Sequence, residues 1–355
     1  MQKILEKKKE VFVGVAIAAL TLVVISVWNL WSAGYVGEQE EVIVPPVVTC
    51  AYRHALTGVC LDHDPYAGAL PPVYAVMIEN SRDAWPQAGL LESFLVFEVP
   101  TEANIPRLLA FYHGIDQNVD KIGPVRSARP YFIDLATPFQ SLYAHVGGSP
   151  AAVEFLKSTA SRVFNLDEMA NQYQFWRDSS RAMPHNVYTA TDLLAQGLAK
   201  RHPEKTEWTY PTYTFKDDAP SGLAQDFIVE FGAPSYRVTW KYDQENNAYV
   251  RWQNSHEHTM ENGDVVRANN VIVMVAEIDV LDSVGRLAIE TVGEGEARVM
   301  QDGKIIQATW KRASTDELVR FYDEMNSEIA LNGGATWVEV VPTLDDYFFE
   351  IVVAE

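Results

Sequence analysis

The sequence predicts an α+β fold preceded by one transmembrane helix. Three observations carry this. Residues 11–37 contain no charge and are strongly apolar. Residues 71–205 mix short apolar runs with helix starts. Residues 222–355 read as strand after strand, punctuated by hairpin dipeptides. The chain has 355 residues, which suits an anchor plus about two domains of ~100–200 residues each. With 48% hydrophobic and 21% charged residues, a packed core is expected.

Residues 11–31, VFVGVAIAALTLVVISVWNLW, are long enough to cross a hydrocarbon layer at 1.5 Å per residue. A cleaved signal peptide has a shorter apolar core and exits through small residues, whereas Trp31-Ser32-Ala33 begins with a bulky indole. Lys3, Lys7, Lys8 and Lys9 precede the run, while Trp28 and Trp31 sit at its far end. Lysines stay on the cytoplasmic side and indoles favour the interface, so residues 1–10 are placed inside and everything after residue 31 outside. The expected partner of residues 11–31 is therefore the lipid bilayer, and the expected location is the cell membrane with extracytoplasmic domains.

The formal charge is −20, and residues 1–10 contribute +2, so the remainder carries −22. Such a surface repels phosphate backbones, which argues against general nucleic-acid binding. Residues 32–70 read as an extended linker with Glu38, Glu40, Glu41 and Pro45-Pro46. Cys50 and Cys60 bracket a short loop in it and could close a disulfide in an oxidising compartment, or remain free thiols.

Within 71–205, Val73–Ile78, Ser93–Val99 and Arg107–Tyr112 are buried-strand runs. Ser149-Pro150 is a helix cap followed by proline at the first helical position, opening AAVEFLKSTA. Thr189 with Asp192 resembles a capping box for a helix through Lys200. Within 222–355, Tyr249–Trp252, Asn270–Ala276, Ala297–Met300, Lys304–Trp310 and Trp337–Val341 are strand-like. Asn262-Gly263 and Asp302-Gly303 signal hairpins, and Ser314 with Glu317 predicts a helix to about Met325.

The candidate chemistry lies in GPVRSARPYFIDLA, residues 123–136. Arg126 and Arg129 sit between Pro124 and Pro130, and guanidinium forks suit carboxylate or phosphate oxygens. The competing reading pairs them with acids such as Glu98, Glu102 or Asp134. HVGGSP, residues 145–150, adds Gly147, Gly148 and Ser149 at a helix start, a potential anion cradle. Arg107 and Asn186 complete the ligand-binding set, with His145 and His185 as candidate proton carriers. Ser149 with His145 lacks a nucleophile elbow and is better explained as a cap. His256-Glu257-His258 lacks a third metal ligand, so neither a metal nor a cofactor is expected. Trp240, Trp252, Trp310 and Trp337 could stack on sugars, but aromatic residues in strands usually belong to the core.

These stretches resemble the YerB-like family of two-domain bacterial envelope proteins, whose activity is not established. The matches are VMIEN (76–80), WPQAGL (85–90), the arginine block (123–136), HVGGSP (145–150), FWRD (175–178) and PHNVYT (184–189). NNVIV (269–273), DGKIIQATW (302–310) and GATWVEVVP (334–342) match in the second half. The resemblance implies a layered α/β sandwich over 71–205 and a β-rich domain over 222–355. It supplies no catalytic residues. Two departures stand out. Many members carry a lipidation cysteine directly after the apolar run, and Cys50 is too far away for that. The family's Glu-Gly-Gly-Ile-Thr-Arg is Glu102-Ala103-Asn104-Ile105-Pro106-Arg107 here. An arginine-bearing strand end followed by a Gly-Gly loop is also similar to LytR–CpsA–Psr glycopolymer transferases, at fold level only. The expected function is an envelope-associated binding or scaffold protein with an arginine-lined site for an anionic cell-wall ligand. The alternative is an enzyme processing wall polymers or pyrophosphate-linked precursors. No protein partner is specified.

Overall fold

The computed structural model describes residues 50–114, 117–221, 225–345 and 348–352. The expected transmembrane helix at 11–31 lies outside them. Among the described residues, no helix is long and apolar enough to cross a membrane. The structure is mostly β with few helices.

The strands used below are β1 (Val73–Ile78), β2 (Leu95–Pro100), β3 (Pro106–His113), β4 (Leu142–His145), β5 (Phe164–Asp167), β6 (Asp226–Val229) and β7 (Val238–Asp243). They continue with β8 (Ala248–Gln253), β9 (Asn270–Val275), β10 (Gly293–Gln301), β11 (Lys304–Arg312), β12 (Arg320–Tyr322), β13 (Thr336–Val341) and β14 (Phe349–Val352). The helices are α1 (Pro130–Ala136), α2 (Pro150–Lys157) and α3 (Thr191–Arg201).

Ten strands form one sheet in the order β12-β11-β10-β9-β13-β2-β3-β1-β4-β5. Both halves of the sequence contribute, and they join where β13 runs parallel to β2. Every residue of β1, β2 and β13 is buried, so both faces of the central sheet are covered. That is why these strands read as continuous apolar runs rather than alternating ones. A second sheet holds β8-β7-β6-β14, with the short strand His256–Glu257 beside β8. Burial alternates along β6 and at the start of β7, so this sheet turns one face to the core.

A polar network welds the two sheets. Glu98 and Glu339 stand opposite each other in the β2–β13 register, and both are 0% exposed. Arg251, also 0% exposed, reaches across from β8 and donates to Glu98 Oε2 at 2.6 Å. Trp337 Nε1 donates to the same oxygen, and Asn80 Nδ2 donates to Glu98 Oε1. Trp240 Nε1 donates to Glu339 Oε1 at 2.8 Å, whereas Glu339 Oε2 has no donor among the described residues. Burial, then the Glu98 charge, pushes the Glu339 carboxyl well above its usual range. Glu339 is therefore the neutral acid, with its otherwise partnerless oxygen carrying the proton shared with Glu98. One anion and one guanidinium then balance inside the core. Arg251 Nη1 also meets His258 Nδ1 at 2.6 Å, and His258 Nε2 meets Gln87 Oε1 at 2.9 Å. Burial and Arg251 drive the His258 pKa well down, so the ring is neutral. A guanidinium can only donate, which fixes the ring proton on Nε2.

Two local expectations fail for visible reasons. Residues 314–325 are not a helix: they turn and then enter β12. The Arg312 fork takes the carbonyls of Thr315 and Glu317, which a helix would have bonded internally. Thr189 does not cap α3. Its backbone pairs with Ile122, its hydroxyl donates to Gln174 O, and the helix starts two residues later with Ala190 at the cap. Ser149 does cap α2, accepting from Ala152 N. Cys50 and Cys60 are disulfide-bonded, with Cα atoms 5.4 Å apart.

Candidate functional site

Strands β1, β2, β4 and β5 point the same way, since β1 and β2 both run antiparallel to β3 while β4 and β5 are parallel to β1. Their carboxyl ends therefore share one edge, where β3 begins. This is where open sheets of this kind usually hold ligands. The edge carries Glu79 after β1, Glu102 after β2, Arg107 at the start of β3, His145 to Ser149 after β4 and Glu168 after β5.

The arginine block is laced into this edge by its backbone. Arg126 N donates to Met77 O and accepts, through its carbonyl, from Val146 N. Ala128 N donates to Gly147 O, and Ser149 N donates to Ala128 O. Arg126, Arg129 and the Gly147-Gly148-Ser149 loop are thus brought together. The loop is less free than a cradle requires. Gly147 N already donates to Asp167 Oδ1 at 2.9 Å, and a Cβ on Gly148 would stand 3.2 Å from Ala128. Gly147 itself adopts φ +56°, which suits glycine.

The three arginines differ sharply. Arg129 forms a two-pronged pair with Glu102, at 2.7 and 2.8 Å. Burial would raise the Glu102 pKa, but Arg129 overrides it and leaves the carboxyl below its usual value. Arg126 Nε lies 3.2 Å from Glu79 Oε1, with its side chain partly exposed. Arg107 donates to Ser127 O at 2.9 Å and has no carboxylate within ion-pair distance among the described residues. Desolvation, aggravated by Arg129, lowers its pKa to about 10. Three guanidinium groups thus face two carboxylates on the edge of a chain whose net charge is −20.

The turn that feeds Arg107 is strained. Ala103 and Asn104 have φ of 61° and 55°, the left-handed region. Asparagine tolerates this conformation, whereas the alanine Cβ crowds the following carbonyl oxygen. Strain of this sort is often retained next to functional groups.

The histidines take different roles. His145 is 1% exposed, and its ring nitrogens face Gly147 O at 2.7 Å and Asn165 Oδ1 at 2.8 Å, so it shapes the loop from beneath. His185 Nδ1 lies 2.9 Å from Glu79 Oε2, and Ser81 Oγ donates to the other Glu79 oxygen. Ser81 Oγ stands 3.4 Å from that same Nδ1, while Nε2 faces Asp83 at 3.9 Å. Asn186 Oδ1 accepts from Arg177, whose other arm pairs with Glu168. Of the acids considered as arginine partners, Glu102 pairs with Arg129, Glu98 instead serves Arg251, and the backbone carbonyl of Asp134 receives Arg312. Glu79 and Ser81 went unnoticed in the sequence. Their signal was the polar break, Glu79-Asn80-Ser81, directly after an apolar strand. His258 lies in the buried network and His256 is exposed. Among the described residues no group of three His, Cys, Asp or Glu is placed to hold a metal ion.

The fold and this edge define a class: a two-part protein built on one shared sheet, with an arginine-rich edge at its strand ends. Residues 56–204 match the family model "Protein of unknown function (DUF3048) N-terminal domain", and residues 227–338 match the corresponding C-terminal domain. The "Putative lipoprotein YerB" of Bacillus subtilis (strain 168) is 30% identical over 275 residues, which cover 76% of this chain and 81% of that protein. The crystal structure of YerB protein from Bacillus subtilis superposes with a TM-score of 0.75 at 26% identity, covering 85% of this chain and all of the other. The chain belongs to the YerB-like family, the two-domain DUF3048 proteins of unknown function.

Proposed function

We propose that this chain is a membrane-tethered extracytoplasmic binding protein whose arginine edge holds an anionic group of a cell-envelope ligand. The observation that carries the reading is Arg107. A largely desolvated guanidinium without a carboxylate partner is costly, and an incoming anion would offset that cost. Arg126 and the Gly147–Ser149 loop flank the same edge, and Asn186 borders it through Arg177, which pairs with Glu168. Arg129 is already neutralised by Glu102, so its part is to hold Glu102 away from Arg107.

The tether rests on the uncharged run at 11–31 and its lysine flank. A disulfide between Cys50 and Cys60 suits an oxidising compartment, and the Bacillus relative bears the name "Putative lipoprotein YerB". Calorimetric titration of inorganic phosphate and pyrophosphate into the full chain in nanodiscs tests the site. Arg107→Leu should abolish binding while the fold survives, and Arg129→Leu should weaken it. Unchanged binding in Arg107→Leu would overturn the assignment. Protease added to intact cells should remove the folded part.

A further inference from the structure

Beyond the arginine edge, two surface features of opposite character remain unused. The first is a hairpin, Ile278–Val280 paired with Leu287–Ile289, which forms its own two-stranded sheet apart from the two main ones. Its base is packed, with Ile278 and Leu287 against the core and Ile289 buried. Its tip is not: Val280, Leu281 and Val284 are 70%, 64% and 67% exposed. Hairpin tips normally carry polar turn residues, and three aliphatic side chains there do nothing for the fold. The tip is also acidic. Asp279 is exposed, and Asp282 is shared between its own turn and Arg286.

The second feature is a groove of about 490 Å³ at the far end of α3, lined by Leu70, Pro72, Ala195, Leu198, Ala199 and Trp208, with Lys205 and His202 at its rim. Lys205 is the one permanently charged side chain in that lining among the described residues. It touches a neutral amide, Gln140, and lies over the Trp208 ring, with no carboxylate partner among the described residues. Lys200 and Arg201 precede it on the exposed end of α3, and with Lys205 these three cations outnumber the two nearby exposed acids, Glu204 and Glu207. In a chain of net charge −20, an apolar groove with a cationic lip is the counterpart of an aliphatic tip with acidic flanks.

We infer that the 278–289 hairpin of one copy docks into the α3 groove of a second copy, so that this protein self-associates head to tail on the membrane. Val280, Leu281 and Val284 fill the apolar groove, and Asp279 and Asp282 meet Lys205 and the end of α3. Tip and groove are different patches, so the contact is heterologous. It generates rings or open strings of molecules rather than a two-fold pair.

A heterologous contact has a distinctive genetic signature, which the test uses. The full chain is placed in nanodiscs at one copy per disc, and sedimentation velocity is followed as concentration rises. Wild-type protein should grow into multi-disc species. Leu281→Asp, which spoils the tip, and Ala199→Glu, which spoils the groove, should each weaken association at least tenfold. Both positions are exposed, so neither change disturbs the core. An equimolar mixture of the two variants should recover association but stop at two discs, because one intact tip meets one intact groove. Wild-type protein that stays single at every concentration overturns the inference, as does a mixture that forms no pairs. Wild-type association that survives both variants overturns it as well.

Discussion

The sharpest prediction concerns the carboxyl pair between the sheets. Glu98 carries the charge that balances Arg251, whereas Glu339 is the neutral acid, so the two glutamates should respond to amide substitution in opposite ways. Glu98→Gln leaves a fully buried guanidinium without its counter-ion. Breaking such a pair costs about 3–5 kcal/mol, and the lower figure applies here, since Glu339 can then ionise in its place. Glu339→Gln swaps a neutral acid for a neutral amide of the same shape. Its oxygen still accepts from Trp240, and its NH₂ donates to Glu98. Below pH ~4.5, where the wild-type acid is protonated folded or unfolded, the change should cost no more than about 1 kcal/mol. With its folded pKa raised, wild-type Glu339 contributes stability that is complete below the unfolded pKa. That contribution falls by ~1.4 kcal/mol per pH unit until the folded pKa is reached. The groups facing it are Glu98 and Arg251, with Trp240 as its hydrogen-bond donor. Glutamine has no such slope. Urea denaturation from pH 5 to 8 should therefore show Glu339→Gln overtaking the wild type as pH rises, while Glu98→Gln stays unstable throughout. A Glu339→Gln loss as large as that of Glu98→Gln, or a difference flat with pH, would refute the proton assignment.

Other outcomes follow from the same geometry. Ala103→Gly should raise stability by about 1 kcal/mol, read as a higher urea midpoint, because glycine relieves the left-handed strain at φ 61°. Asp302, nearly buried at the β10–β11 turn, accepts from Ala219 N, Asn247, Asn332 and Lys216. Asp302→Ala should cost about 3 kcal/mol by orphaning several buried donors. Burial tends to raise the Asp302 pKa, but Lys216 and these donors hold it below its usual value. Its stabilising contribution is thus complete above the unfolded pKa and lost as pH falls through the folded one, and Asp302→Asn should flatten that acid limb. Ser149→Ala should cost about 1 kcal/mol by uncapping α2, measured as faster amide exchange in its first turn.

Much of the architecture was legible because strand burial writes itself as apolar runs. Val73–Ile78, Asn270–Val275 and Trp337–Val341 could be read directly, and so could the Ser149 cap. The failures share one cause: other hydrogen bonds took the groups that a helix start needs. The Arg312 side chain, just ahead in sequence, takes the Thr315 and Glu317 carbonyls, and the backbones of Gln174 and Ile122 engage Thr189, which apolar periodicity does not report. At the site, the arginines were visible as residue types. Which of them lacked a counter-ion depended on Glu79 and Glu102, brought in by strands separated from them in sequence. The glycine departures at Ala103 and Asn104 were the most informative sequence signal, since both proved to occupy backbone that favours glycine.

The seam where Leu95–Glu98 lies beside Thr336–Glu339 has a consequence for biosynthesis. During synthesis the early strands emerge with an unfilled flank, and the residue that finally pairs with Glu98 through its indole comes 239 positions later. Until then a row of amides and carbonyls stays open to any passing strand. A truncation ending near residue 205 keeps that flank permanently raw and should clump.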